Sequence, residues 1–220
     1  MRIDKTEVFN LTGAVRGMRN PMESWDRSDT TDCLGENDLS LCRRLIRAGS
    51  EHRKFLRQIM ISVDIEAPLY WWKEFDTYKV GTTANSTSTM HKITSKPITI
   101  DCFETEDFSG DILVDYLVYA GETYCKVEIQ SFMTTLIEVL ESLRKSYIET
   151  KDKRYWKELI RLLPESWLQT RTITMNYENV WNMYNQRKNH KLSEWEFFCR
   201  WAENLPHFKE LFLYDREEEQ

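Results

Sequence analysis

The chain of 220 residues reads as an α+β protein, a single domain in which a mixed or antiparallel sheet is flanked by long helices. Three observations predict this. Its 7 glycines and 5 prolines are far below the usual combined share of ~12%, which leaves few sites for tight turns and excludes a many-turned β-sandwich. Apolar residues recur at helical spacing in some stretches and alternate with polar ones in others. Strand-like and helix-like stretches do not alternate regularly, as repeated βαβ units would.

Thr6–Leu11 fits a short strand, and Arg16–Asp32, with Gly17, Asn20 and Pro21, reads as a loop. Asp38 is a good N-cap for a helix carrying Leu41, Leu45 and Ile46, with Gly49 at its end. Ile59, Ile61, Val63 and Ile65 alternate with Met60, Ser62 and Asp64, the pattern of a half-buried strand. Pro68 opens a short helix through Trp71-Trp72, for which ordinary packing is favoured over the alternative that one of them reaches a site or subunit interface. Gly81–Ser95 is more than half Ser and Thr, which predicts an irregular segment, either a solvated loop or a phosphate cradle.

Gly121–Glu149 predicts one long amphipathic helix with Val127, Phe132, Leu136, Val139, Leu140 and Leu143 on one side. A second runs from Asp152 to Leu163 and is stopped by Pro164. Trp167–Met175 alternates like a strand, and Asn176 caps a helix through Val180, Trp181 and Tyr184. Ser193 caps another with Trp195, Phe198 and Trp201 inward, and Pro206 restarts a last one.

The composition narrows function. Thirty basic against 36 acidic residues give a net charge of −6, without the basic face a nucleic-acid binder needs. A small phosphorylated ligand needs only a few local arginines. The five cysteines fit neither a disulfide framework nor a zinc pattern, and their expected role is inert packing in a reducing cytoplasm. His52, His91, His190 and His207 form no metal-binding pair, so no metal site is expected. There is no glycine-rich phosphate loop, no leader-like N-terminus and no 18-residue apolar stretch for a membrane.

The C-terminal third carries a resemblance. Glu158 and Arg161 precede Leu162-Leu163-Pro164, a Thr-rich strand follows, Asn176 opens the next helix, and Asn182 and Arg187 lie along it. This order resembles the C-terminal half of flavin-dependent thymidylate synthases, and Ser193–Phe197 resembles the acidic helix that follows there. Upstream, Leu45–Gly49 and Ile59–Pro68 resemble that family's first helix and strand. Where the family carries Arg-His-Arg, this chain has Tyr78-Lys79-Val80, followed by Asn85 and Ser88 at fitting positions. The likeness covers about Leu39 to Leu205, with an acidic insertion near 97–122 holding Asp101, Glu104, Glu106, Asp107, Asp111 and Asp115.

The resemblance implies a cytoplasmic homotetrameric methyltransferase that binds FAD and converts dUMP, or another pyrimidine nucleotide, by reductive methylation. Methylenetetrahydrofolate and NADPH would be the co-substrates. By the same resemblance Arg187 is the catalytic residue at the uracil ring. Arg161, Ser88 and Glu158 bind the nucleotide with it, and Asn85, Asn176, Asn182, Tyr78 and Lys79 face the flavin. Alternatives are related flavin or one-carbon chemistry on a different pyrimidine nucleotide, or a catalytically silent nucleotide-binding or assembly homologue.

Overall fold

The computed structural model of the protein describes residues 1–106, 112–118 and 123–214. In chain order the strands are β1 (Arg2–Phe9), β2 (Met60–Pro68), β3 (Thr83–Ser86), β4 (Leu113–Val118), β5 (Thr123–Glu128) and β6 (Leu168–Asn176). The helices are α1 (Leu11–Met18), α2 (Glu36–Ala48), α3 (Leu69–Phe75), α4 (Thr89–Lys92), α5 (Ile129–Thr150), α6 (Lys153–Leu162), α7 (Tyr177–Arg187), α8 (Ser193–Glu203) and α9 (Phe208–Phe212). A four-stranded sheet in the order β1-β2-β6-β3 and an antiparallel β4-β5 pair give the expected α+β class. The chain groups into two compact units, one of Met1–Glu66, Lys73–Asn85 and Thr170–Gln220, the other of Ala67–Trp72 and Ser86–Gln169.

In the first unit the alternation along β2 does what its sequence dictates. Ile61, Val63 and Ile65 are buried and Met60, Ser62 and Asp64 are partly exposed. β1 pairs antiparallel with β2, with an irregularity between Asp4 and Glu7 where Lys5 takes a positive φ. Ile173, Tyr177, Val180, Met183, Trp195, Phe198 and Phe208 complete the buried set of β6, α7, α8 and α9.

The start of α2 differs from expectation. The N-cap is Gly35, and the carboxylate of Asp29 reaches the helix from outside, accepting from Asn37 N at 2.8 Å and Asp38 N at 3.0 Å. Asp38 sits inside the first turn, fully buried. One oxygen accepts from Arg19 Nε at 2.5 Å, the other from Ser28 Oγ at 2.7 Å and from the backbone N–H of Asp29 and Thr30. Burial alone raises the Asp38 carboxyl pKa. The hydrogen bonds of Ser28, Thr30 and Arg19, and the charge of Arg19, overcome that and hold it below the usual carboxylate range. The expected loop Arg16–Asp32 also starts too early, because Ala14 and Val15 bury one face of α1 and carry the helix to Met18 before two short 3-10 turns.

In the second unit Ile93, Ile98, Phe103, Met133, Leu140 and Leu159 form a core, with Trp156, Leu163 and Trp167 packed against it. The predicted helix over Gly121–Glu149 is divided. Thr123–Glu128, rich in β-branched and aromatic residues, is strand β5, so Val127 is not on the helix, and α5 begins at Ile129. Gly121 and Glu122 lie outside the described residues, as do Asp107 and Asp111 of the acidic insertion. Along α5 the buried stripe is Met133, Leu140 and Arg144, whereas Phe132 and Val139 face outward. The hydroxyl-rich segment contains β3 and the single turn α4 instead of irregular chain. Trp71 and Trp72 are both fully buried, in an edge-to-face contact at 4.9 Å, so neither is at a surface. α6 runs from Lys153 to Leu162, close to the expected span, and Asp152 caps it with its side chain accepting from Arg154 N.

Glu141 and Arg144 tie α5 to the segment before it. The pair is bidentate, with Arg144 Nε and Nη2 each donating at 2.7 Å, while Glu141 also accepts from Ile98 N at 2.8 Å and Arg144 Nη1 donates to Thr94 O. Hydrogen bonding from Arg144 lowers the Glu141 pKa to about 2 against the opposing effect of burial. A depressed carboxylate stabilises the fold above its unfolded-state pKa and loses that contribution as pH falls through the folded value. Glu141→Gln is therefore expected to destabilise the chain near neutral pH, with the difference from the parent shrinking between pH 4.5 and 2. Urea unfolding across this range checks it, and a difference independent of pH contradicts it.

Among the described residues no helix is long and apolar enough to cross a membrane, and no group of three His, Cys, Asp or Glu side chains is placed to hold a metal ion. Burial pushes the Cys42 thiol up to about 12 and the Cys199 thiol up to about 11, so both are protonated packing groups.

Candidate functional site

The strongest concentration of chemistry in the first unit surrounds Arg187, the last residue of α7. That helix is fixed at its start by a capping box. Asn176 Oδ1 accepts from Asn179 N at 3.0 Å and Asn179 Oδ1 accepts from Asn176 N at 3.2 Å. Three turns later the helix delivers a cation to its own C-terminal end, where the helix dipole favours it.

Arg187 is held on several sides. Its Nε donates to Tyr78 Oη at 2.8 Å and its Nη1 to Glu74 Oε2 at 3.1 Å. Its guanidinium lies 4.8 Å from the centre of the Trp195 ring and 5.5 Å from that of Tyr78. Tyr78 in turn donates to Gln186 Oε1 at 3.2 Å. Glu74, on α3, is the hub of the group. The same Oε2 accepts from Trp195 Nε1 at 2.5 Å and stands 3.6 Å from His190 Nε2. The Arg187 side chain is only 18% exposed, so its rotamer is set by packing before any ligand arrives. Its Nη2 bonds to no described residue and is the donor left for one.

The Tyr78–Gly81 turn is docked on the start of α7. Asn179 Nδ2 donates to Val80 O at 2.7 Å. Gly81 has φ +79°, and a Cβ there would lie 3.0–3.3 Å from the Asn176 and Asn179 amides, so both backbone conformation and space require glycine. The next residues on either side, Lys79 and Val80 on one and Asn85 on β3, are exposed, as is Asn182 on α7. Asn176 is nearly buried and its Oδ1 is committed to the helix cap.

The second unit holds the remaining expected residues. Ser88 caps α4, its Oγ accepting from His91 N at 3.2 Å and lying 2.8 Å from His91 Nδ1. Glu158 and Arg161 form a hydrogen-bonded, half-exposed ion pair on α6. Trp156 of the same helix donates to Met90 O in α4 at 3.3 Å. The structure thus brings Tyr78 to Arg187, and Glu158 to Arg161, in direct contact. Glu74, His190 and Trp195 were not anticipated at the site. Glu74 is 113 residues from Arg187 in sequence, and no local spacing signals such a pair.

No family model matches the chain, and no curated protein matches it by sequence. Among solved structures, a flavin-dependent thymidylate synthase from Helicobacter pylori, complexed with FAD and dUMP, superimposes with a TM-score of 0.64 at 18% identity. The match covers 96% of this chain and 98% of that one. A UMP/dUMP methylase from Streptomyces cacaoi, bound with 5-bromo-dUMP, gives a TM-score of 0.61 at 15% identity over 96% and 95% of the two chains. The fold of this chain is that of the flavin-dependent thymidylate synthases and of the UMP/dUMP methylase.

Proposed function

We propose that this chain is a flavin-dependent methylase of a pyrimidine nucleotide, carrying out the reductive methylation of dUMP to dTMP with methylenetetrahydrofolate and NADPH. The observation that carries the reading is Arg187, packed between two aromatic rings with one donor nitrogen left over, in a chain of this fold. A guanidinium is always cationic and offers donors in a fixed fork, which suits a uracil carbonyl on which negative charge grows during reaction. Arg161, Glu158 and Ser88 bind the nucleotide in this reading.

The residues present fit a flavin dinucleotide in kind. Lys79 is a cation with no carboxylate partner among the described residues, and Asn85, on the hydroxyl-rich strand β3, and Asn182, on α7, are exposed. Tyr78 and Asn176 complete this set. These are donors of the type that holds phosphate oxygens without a glycine loop. When bound, FAD supplies the hydride chemistry, and the chain's own work is to orient the ring of the nucleotide and to balance its charge. A cytoplasmic homotetramer completes the proposal, with exposed Phe132 and Val139 on α5 as side chains an interface would cover.

A second reading, a nucleotide-binding homologue without turnover, is favoured by the Glu74–Arg187 ion pair, since Glu74 neutralises much of the charge Arg187 would offer. One experiment separates the two. Purified protein mixed with FAD is expected to show a bound-flavin absorption spectrum, and with dUMP, methylenetetrahydrofolate and NADPH to form dTMP. Flavin binding without product selects the second reading, and failure to bind flavin sinks the first.

A further inference from the structure

We propose a second anion site, independent of the Arg187 group, that takes the phosphate of a small phosphorylated compound. It is a cleft of about 370 Å³ in the first unit, lined among the described residues by Arg19, Arg27, Asn37, Ser40 and Arg44. Among the described residues three cations and two neutral polar side chains line it, and no carboxylate does. Asp29 and Asp38, which bond to this region, are already committed. Both oxygens of Asp29 accept from the first turn of α2, and both oxygens of Asp38 accept from Arg19, Ser28 and backbone N–H groups.

The arginines are not committed in the same way. The side chains of Arg27 and Arg44 make no ion pair or hydrogen bond with any described residue. Arg19 is the more telling. Its side chain is 5% exposed, its Nε is bound to Asp38 and its Nη1 donates to Ser24 O at 3.2 Å, yet Nη2 has no partner among the described residues. Nη2 is thus the Arg19 donor left to an acceptor in the cleft. Asp38 offsets the charge of Arg19, which leaves Arg27 and Arg44 as two uncompensated charges. That matches the dianion of a phosphate monoester or of inorganic phosphate, and arginine forks fit its oxygens two at a time. Asn37 and Ser40 supply neutral hydrogen-bonding groups at the rim.

The test is calorimetric titration of the full chain with inorganic phosphate and, separately, with AMP, which is not a pyrimidine nucleotide. Binding is expected, and the double variant Arg27→Gln/Arg44→Gln is expected to weaken it by about tenfold or more for each arginine removed. Circular dichroism should show the fold of this surface variant unchanged, and Arg187→Ala should leave the binding as it is. AMP binding more tightly than phosphate assigns an organic monoester, and equal affinities assign the free ion. Absence of binding by both ligands, or binding that the double variant does not weaken, overturns the proposal.

Discussion

Arg187→Ala is expected to lower turnover of the pyrimidine nucleotide by about 10²–10³-fold while the protein stays folded. The size follows from what the side chain offers. It is a cation already oriented by Tyr78 and by the Trp195 ring, so it reorganises little when charge develops on a ligand. Folding should survive, because Glu74 keeps the Trp195 N–H as a partner when the guanidinium is removed and its side chain is 34% exposed. Arg187→Lys is the sharper probe. It keeps the charge but loses the fork that holds Tyr78 and Glu74 at once, so most of the loss should remain. Steady-state kinetics of both variants beside their circular dichroism checks this. Unchanged turnover in Arg187→Ala removes Arg187 from the chemistry, and full activity in Arg187→Lys reduces its role to charge alone.

Asp38→Ala is expected to cost about 3–5 kcal/mol of folding stability, a large part of the ~5–15 kcal/mol that holds a typical domain together. The substitution leaves the Arg19 guanidinium buried without its counter-ion and strips partners from Ser28 Oγ and two backbone N–H groups. Since the Asp38 carboxyl is held below its usual range, its contribution is present above the unfolded-state pKa and is lost as pH falls through the folded value. The gap between parent and variant should therefore be widest near neutrality and narrow in acid. Guanidinium-induced unfolding at several pH values measures it. A loss below 1 kcal/mol would mean that Arg19 finds water or another acceptor when Asp38 is gone.

How far sequence reached depended on the range of the physics. The alternation of β2, the proline stop after α6 and the Asn176 cap of α7 are local, and each was legible because a side chain's neighbours within four residues decide it. Asp38 shows where that fails. A residue type that favours N-caps was placed at the N-cap, but Asp29 caps α2 from outside the helix and releases Asp38 to pair with Arg19. β5 was hidden inside a helical period because Val127 and Phe132 continue the spacing of α5 across a strand boundary. Arg187 and Tyr78 are singled out through the resemblance, and the structure brings their side chains into contact. Glu74, which pairs with Arg187 and accepts from Trp195, could not be singled out, since nothing near it in sequence distinguishes it from an ordinary surface carboxylate.

The exposed strand β3 has one further consequence, for behaviour at high concentration. It closes the sheet on the side of β6, and an unpaired strand margin is where chains of this kind stick to one another. Here the margin is four residues long, Thr-Ala-Asn-Ser, with every side chain in water, and it turns at once into the Ser88-capped helix. It is too short and too hydrophilic to template a copy of itself into a fibre. The short hydroxyl-rich composition of this segment thus keeps the open margin of the sheet from nucleating aggregates.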